Sequence, residues 1–296
     1  KLDSLRQYNT DWFKELIKPN HFQSHNLSIR GGTEKSAYFY SVNYSKQGGR
    51  IPGNDINHIT ARANLDYTIA PTFQLSLNNS FGVSTTNTEN GMTNDPTELV
   101  FNLNPYETKE TKQLISYPNR SYNDLINQFK DKTTNKRFSS SIVMHWDILP
   151  ELNIAGVVGA DYSINEVYQR IYSSAYSQIN KKENEKGFLS ESDTKNFNYS
   201  ANIRANYQKK IGDHDLFLGF NVDYYLTDIK SISGSGHGIS DDISSLSGIN
   251  SSFTNQYKPS ASGSKMKNNQ LGFGVAGGYT YQGIYDFYAS LKRDGS

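Results

Sequence analysis

Apolar and polar residues alternate one for one along much of this chain, and that alternation predicts β-strands. In residues 58–69, Ile59, Ala61, Ala63, Leu65, Tyr67 and Ile69 fall on one face. Thr60, Arg62, Asn64, Asp66 and Thr68 fall on the other. A period of two belongs to a strand, whose successive side chains point to opposite sides. After Ala70-Pro71 the pattern resumes, with Phe73, Leu75, Leu77, Phe81 and Val83 set against Gln74, Ser76, Asn78, Ser80 and Ser84. The same rule predicts strands over 37–45, 136–148, 151–162, 196–209, 215–230, 268–281 and 285–292, and a shorter one over 26–30. That makes about ten strands. Residues 1–25, polar apart from Trp12 and a few others and broken by Pro19, read as a lead-in; 26–296 read as one β unit.

The links between strands alternate in length. Short ones fall near Gly31-Gly32-Thr33, Ala70-Pro71, Leu149-Pro150, Gly212-Asp213 and Gln282-Gly283; polar stretches lie at 46–57, 85–135, 163–194 and 231–265. A transmembrane barrel has tight turns on one side and long loops on the other. A soluble sheet with one face on a core also alternates, but nothing in its physics sorts its loops by length. Aromatic residues bracket the apolar faces: Phe73 and Phe81, Phe138 and Trp146, and Phe197, Tyr199 and Tyr207 around Ala201, Ile203 and Ala205. Tyr and Trp prefer the headgroup boundary. Eight residues of a strand tilted about 40° rise roughly 20 Å, close to the apolar band of such barrels. The predicted fold is all-β, an antiparallel up-and-down transmembrane β-barrel, with Ala63, Leu65, Leu75, Leu77, Ile142, Ile203 and Val275 facing lipid.

Composition fits this picture. The chain has 296 residues, 35% of them hydrophobic, with 21 Tyr, 15 Phe and no Cys. A mean hydropathy of −0.69 excludes a bundle of membrane helices but not a barrel, which needs apolar residues on one face only. The longest apolar run, 154–160, is far short of the roughly 18 residues a membrane helix needs. A net charge of +1 gives no bulk field for nucleic acid. No signal peptide opens the chain at Lys1, and Arg293-Asp294-Gly295-Ser296 falls in a strand-to-loop passage. These ends suggest a piece of a longer protein.

Candidate chemistry is sparse. His21, His25, His58, His145, His214 and His237 have no metal-ligand spacing. His145 shares the polar face with Asp147 beside a short turn, which suits a lumen-lining pair better than a catalytic one. Gly234-Ser235-Gly236-His237-Gly238 lacks the Gly-Lys-Ser/Thr ending of a phosphate loop, and the Ser- and Gly-rich stretch 231–264 around it is expected to be a mobile loop. Asp241-Asp242 are candidate ligands for a loop Ca²⁺, or simply solvated carboxylates. In 95–106 a helical turn is expected, with Asp95 as N-cap and Pro96 at the first helical position. No Gly-x-Ser-x-Gly or other nucleophile motif occurs, and no catalytic, metal or cofactor residue is assigned. Phe101, Tyr106, Tyr117 and Tyr122 are the loop aromatics that could stack on a substrate, if they do not pack within the loops.

Four segments carry a resemblance. Tyr8-Asn9-Thr10-Asp11-Trp12 precedes HNLSIRGGTEKSAYFYSVNYSKQGG (25–49) and ARANLDYTI (61–69), and YDFYASLKRDGS closes the chain (285–296). This resembles the SusC/RagA family of TonB-linked outer-membrane proteins of Bacteroidetes. The resemblance implies a barrel of about 22 strands around an N-terminal plug, of which this chain supplies about ten. It also implies active import of oligosaccharides or peptides through the bacterial outer membrane. A SusD-like lipoprotein would capture the substrate, and TonB–ExbB–ExbD would supply the energy. The coupling residues would lie outside this sequence. A closed ten-strand barrel would be filled by its own side chains, whereas the small polar residues here suit a wider lumen. A passive porin or adhesion barrel remains open. A barrel enzyme would need carboxylates and histidines at the long-loop mouth, and near Ser84, Lys136 and Tyr162 the sequence has no such cluster.

Overall fold

The alternating segments pair in the order in which they occur along the chain. The computed structural model describes residues 7–51, 53–88, 96–125, 128–253 and 256–295. Its strands are β1 (Phe22–Gly32), β2 (Ser36–Gly48), β3 (Asp55–Ala70), β4 (Phe73–Thr88), β5 (Phe129–Leu149), β6 (Leu152–Ile171), β7 (Phe188–Ile211), β8 (His214–His237), β9 (Ser260–Tyr281) and β10 (Tyr285–Gly295). They form one ten-stranded sheet in sequence order. Every neighbouring pair is antiparallel. Among the described residues β1 and β10 each pair on one side only. The first strand starts at Phe22, four residues before the expected Asn26.

Links at 33–35, 71–72, 150–151, 212–213 and 282–284 are tight and share one end of the sheet; those at 49–54, 89–128, 172–187 and 238–259 share the other. The tight turns have local causes. Gln282 and Gly283 sit at φ 53° and 67°, the left-handed pair that matches strand twist in a hairpin. Thr33 N–H donates to the Ser36 carbonyl at 2.6 Å, closing the first turn.

Register sorts the side chains. Leu65 stands opposite Leu77, Leu77 opposite Ile142, Ile142 opposite Val158 and Val158 opposite Ala201. Leu75 faces Met144, Ile203 faces Val222, and Val275 faces Phe220 and Leu291. All seven residues expected to face lipid therefore share one surface. Phe81 and Phe138 lie opposite each other toward the long-loop end, and Phe73 and Trp146, with ring centroids 5.7 Å apart, at the other. Between them Ala63, Asn79, Ser140 and Ala160 form a row of small side chains, part of which floors an apolar hollow of about 370 Å³ rimmed by Leu27, Ile29, Tyr40 and Phe81.

A wall with an apolar surface on one side and a polar one on the other has no dry interior. The buried residues accordingly cluster in the long connections. Helices α1 (Trp12–Leu16) and α2 (Pro96–Asn102) pack together. Trp12, Leu16, Leu99, Leu103, Leu114, Tyr122 and Leu125 form their core. Asp11 caps α1 by accepting from Lys14 N–H at 3.2 Å. Trp12 Nε1 donates to the Asn104 carbonyl at 2.9 Å, and Thr10 N–H to that of Pro105 at 2.7 Å. Buried Glu107 accepts from Asn104 N–H at 3.0 Å, from Ser116 Oγ at 3.2 Å and from Ile115 N–H. The lead-in is thus fastened to the 89–128 connection at the long-loop end. Pro96 opens α2 as expected; Asp95, the expected cap, lies outside the described residues.

One expectation is overturned. The stretch 231–264 is not one mobile loop: β8 runs on to His237 and β9 begins at Ser260, paired from Ser231 opposite Ser264 to Ser235 opposite Ser260. Gly234, Ser235, Gly236 and His237 are therefore strand residues, and the chain turns only at Gly238, at φ 74°. Backbone ladder bonds hold these segments whatever their side chains. Hydroxyl pairs join across them, Ser233 to Ser262 at 2.7 Å and Ser235 to Ser260 at 2.8 Å.

Candidate functional site: the polar wall and its long-loop mouth

The polar residues of the strands converge on the second face of the sheet. Arg62 faces Ser80, Ser80 faces Ser139, Ser139 faces Asp161, and Asp161 faces Asn198. One position nearer the short turns on that face, Asn64 faces Asn78, then Ser141, Gly159 and Ser200. Together they line a concavity of about 390 Å³. Arg137 Nε donates to Asp161 Oδ2 at 2.6 Å, and Ser139 Oγ donates to the same oxygen. Asn221 donates to Asp223 at 2.9 Å, and Asn202 also donates to that carboxylate. Most charges on this face are therefore held in hydrogen-bonded groups. Arg62 has no ion pair among the described residues. His145 and Asp147 stand 3.3 Å apart beside the short turn at 150–151, both about half exposed.

Toward the long-loop end the same face becomes a grid of hydroxyls. Ser190, Ser235 and Ser260 make one row, Ser192, Ser233 and Ser262 the next, and Thr194, Ser231 and Ser264 the third. Thr194 and Ser231 hydroxyls are 3.0 Å apart. Such a wall can exchange hydrogen bonds with a polar ligand without a net charge. The spacing Ser-x-Ser-x-Thr in 190–194 and Ser-x-Ser-x-Ser in 231–235 and 260–264 was the signal for it. It was missed because a Ser- and Gly-rich segment looks like a linker.

At the mouth, rings gather around His237. Phe188 lies 5.0 Å from it and Tyr257 5.1 Å, while Phe253 packs on Tyr257 at 6.0 Å. Lys181 Nζ sits 5.2 Å over the Tyr257 ring. Burial, and after it the charge of Lys181, pushes the His237 imidazole below its usual range; a hydrogen bond to the Gly187 backbone pulls the other way. Burial also lowers Lys181.

The four loop aromatics do not form one site. Tyr122 is 5% exposed and stacks on Trp12 at 5.6 Å, inside the loop core. Burial raises its phenol pKa. Tyr117 packs on that core and edge-on against Tyr176 at 5.5 Å. Phe101 and Tyr106 are exposed, at 86% and 49%. Asp241 accepts from Ser173 N–H at 2.5 Å and so ties the 238–259 connection to 172–187, while Asp242 accepts from Ser240 Oγ within its own connection. Among the described residues no three His, Asp or Glu gather closely enough to hold a metal ion.

No protein-family model matches the chain. In sequence it is 24% identical over 245 residues to the TonB-dependent receptor SusC of Bacteroides thetaiotaomicron, covering 71% of this chain and 24% of that protein. It is 32% identical over 77 residues to the TonB-dependent receptor P3 of Formosa agariphila, covering 26% and 8% respectively. Among solved structures, the RagAB peptide importer in its closed-closed state superposes with a TM-score of 0.74 at 16% identity, over 97% of this chain and 33% of that one. The Escherichia coli outer-membrane transporter YddB superposes with a TM-score of 0.55 at 12% identity, over 93% and 34%. The chain thus spans a quarter to a third of the relatives it follows over most of its own length. By sequence and by fold this chain is similar to the SusC/RagA-type TonB-dependent receptors, and its ten strands form part of the wall of a bacterial outer-membrane β-barrel.

Proposed function

We propose that this chain is part of the barrel of a TonB-dependent active importer of oligosaccharides or peptides, working with a SusD-like surface lipoprotein. The observation that carries the reading is the two-sided wall: an apolar belt outside, and inside it hydroxyls, amides and compensated charges. Such a lining offers a passing polar solute many replaceable hydrogen bonds and no deep trap, which suits passage rather than storage. The relatives are named as receptors and, for RagAB, as a peptide importer, and none is named as an enzyme. No bond in the substrate is made or broken in this reading. The long connections meet the substrate first, and the inner hydroxyl grid lies directly below them. Energy coupling belongs to parts of the full-length protein outside this sequence.

Uptake of the growth substrate in cells lacking TonB function, compared with cells lacking the neighbouring lipoprotein, tests the proposal. Uptake is expected to fall in both strains while the barrel stays in the outer membrane. Undiminished uptake in the TonB-deficient strain would contradict active import and favour a passive porin.

A further inference from the structure

The apolar face of the sheet does not end in a neutral rim. Toward the long-loop end it closes with Phe138, Tyr162 and Phe197, which stand opposite one another in register. On β7, two residues or about 7 Å further out along the strand, comes Lys195. It lies directly opposite Lys230, and Lys230 lies directly opposite Lys265. Lys267, two residues from Lys265, falls on the same surface. All four are exposed. Three like charges in adjacent strands, opposite one another, destabilise a sheet unless an opposite charge sits among them.

The protein does not supply enough of that charge. Asp228, opposite Lys267, and Asp193, two residues from Lys195, are the near carboxylates on this face. Neither comes within ion-pair distance of the four lysines among the described residues. Two other lysines of the same surface are neutralised. Lys136 Nζ is gripped by both Glu166 oxygens at 2.7 and 2.8 Å. Lys209, at the short-turn end, pairs with Glu151 at 3.8 Å. Lys130 and Lys132 of β5 also lie on this surface without an ion pair among the described residues, but only on β7–β9 do unpaired lysines stand directly opposite one another, at and just beyond the outer aromatic ring.

We infer that Lys195, Lys230, Lys265 and Lys267 bind the phosphate groups of anionic lipid in the outer leaflet. The inference rests on the barrel orientation, with the long connections outward, and not on what is transported. At that level a lysine stem lies along the apolar wall and its ammonium reaches the headgroup layer. A phosphate between neighbouring strands meets two or three ammonium groups at once, and the acyl chains below it lie on the belt of Leu226, Tyr199 and Ala201. Each basic residue near an anionic leaflet adds to the attraction.

The test uses the full-length protein in phosphatidylcholine nanodiscs supplemented with lipid A or with enzymatically dephosphorylated lipid A, and counts retained lipid by mass spectrometry. The wild type is expected to retain at least about tenfold more of the phosphorylated form. The combined Lys195→Gln, Lys230→Gln, Lys265→Gln and Lys267→Gln variant is expected to lose that preference. The corresponding four arginine substitutions, and Lys209→Gln at the opposite rim, are expected to keep it. Equal retention of the two lipid forms by the wild type would overturn the inference, because the acyl chains alone would then account for binding. So would an unchanged preference in the glutamine variant, or an equal loss in Lys209→Gln. Should the glutamine variant fail to assemble, the wild-type comparison and the arginine variant still decide.

Discussion

Each wall residue has two solvents to satisfy, and its place in the alternation decides which. Leu75 lies on the face with Tyr67 and Met144, in the apolar belt. Leu75→Arg is expected to cost about 2–4 kcal/mol near the bilayer midplane, seen as a lower yield of heat-modifiable barrel in the membrane fraction. Ser76→Ala, one position along and on the polar face, is expected to assemble normally. His237 makes a different demand. Its folded-state pKa is depressed, mainly by burial and then by Lys181. As the pH falls below about 6.5, the unfolded segment takes up a proton before the folded one. The stability of this end of β8 is therefore complete above that pH and is lost as the pH falls toward the depressed value. Hydrogen-exchange protection factors at 188–190 and 236–238, corrected for the intrinsic pH dependence of exchange, are expected to fall between pH 7.5 and 5.5, and His237→Gln is expected to remove most of that fall.

Strands were legible where their two faces differ and illegible where they do not. Residues 58–69 alternate cleanly because one side meets lipid and the other water, and β3 is found there. In β7 and β8, each of 24 residues, the tilted strand rises roughly 60 Å, well past an apolar band of about 25 Å. Beyond that band neither face meets lipid, so 188–195 and 231–237 alternate only in their hydroxyls and not as apolar against polar, and the backbone ladder makes them strands. The polar wall was legible for the same reason as the strands. The hydroxyl grid left its alternating Ser and Thr in each segment but was hidden in a linker-like composition, and the lysine row was not legible at all, because it exists only across strands, in a register that no single segment contains. Nor did periodicity reveal the small core of the long connections, where Trp12 meets Leu99 and Tyr122 from about ninety to a hundred and ten residues away. Trp12→Ala is expected to cost that core about 3–5 kcal/mol. Limited proteolysis should then cut within 96–125 while the strands stay protected.

A sheet without a dry core is stable only where something apolar covers one of its faces, and here that is the membrane. The sorted connections then fix the orientation, with 33–35, 71–72, 150–151, 212–213 and 282–284 toward the periplasm and 49–54, 89–128, 172–187 and 238–259 toward the outside. The sequence contains no cysteine, so single cysteines placed in it report their own location. The decisive measurement is labelling of Glu34→Cys, Leu77→Cys and Ser244→Cys in the full-length protein, any other native cysteines removed, with a membrane-impermeant maleimide. In intact cells Ser244→Cys is expected to react and Glu34→Cys to stay unlabelled until the outer membrane is opened. Leu77→Cys is expected to resist the polar reagent in both conditions while accepting a lipid-soluble one. Labelling of Glu34→Cys in intact cells, or of Leu77→Cys by the polar reagent, would contradict a membrane-spanning wall with its long loops outside.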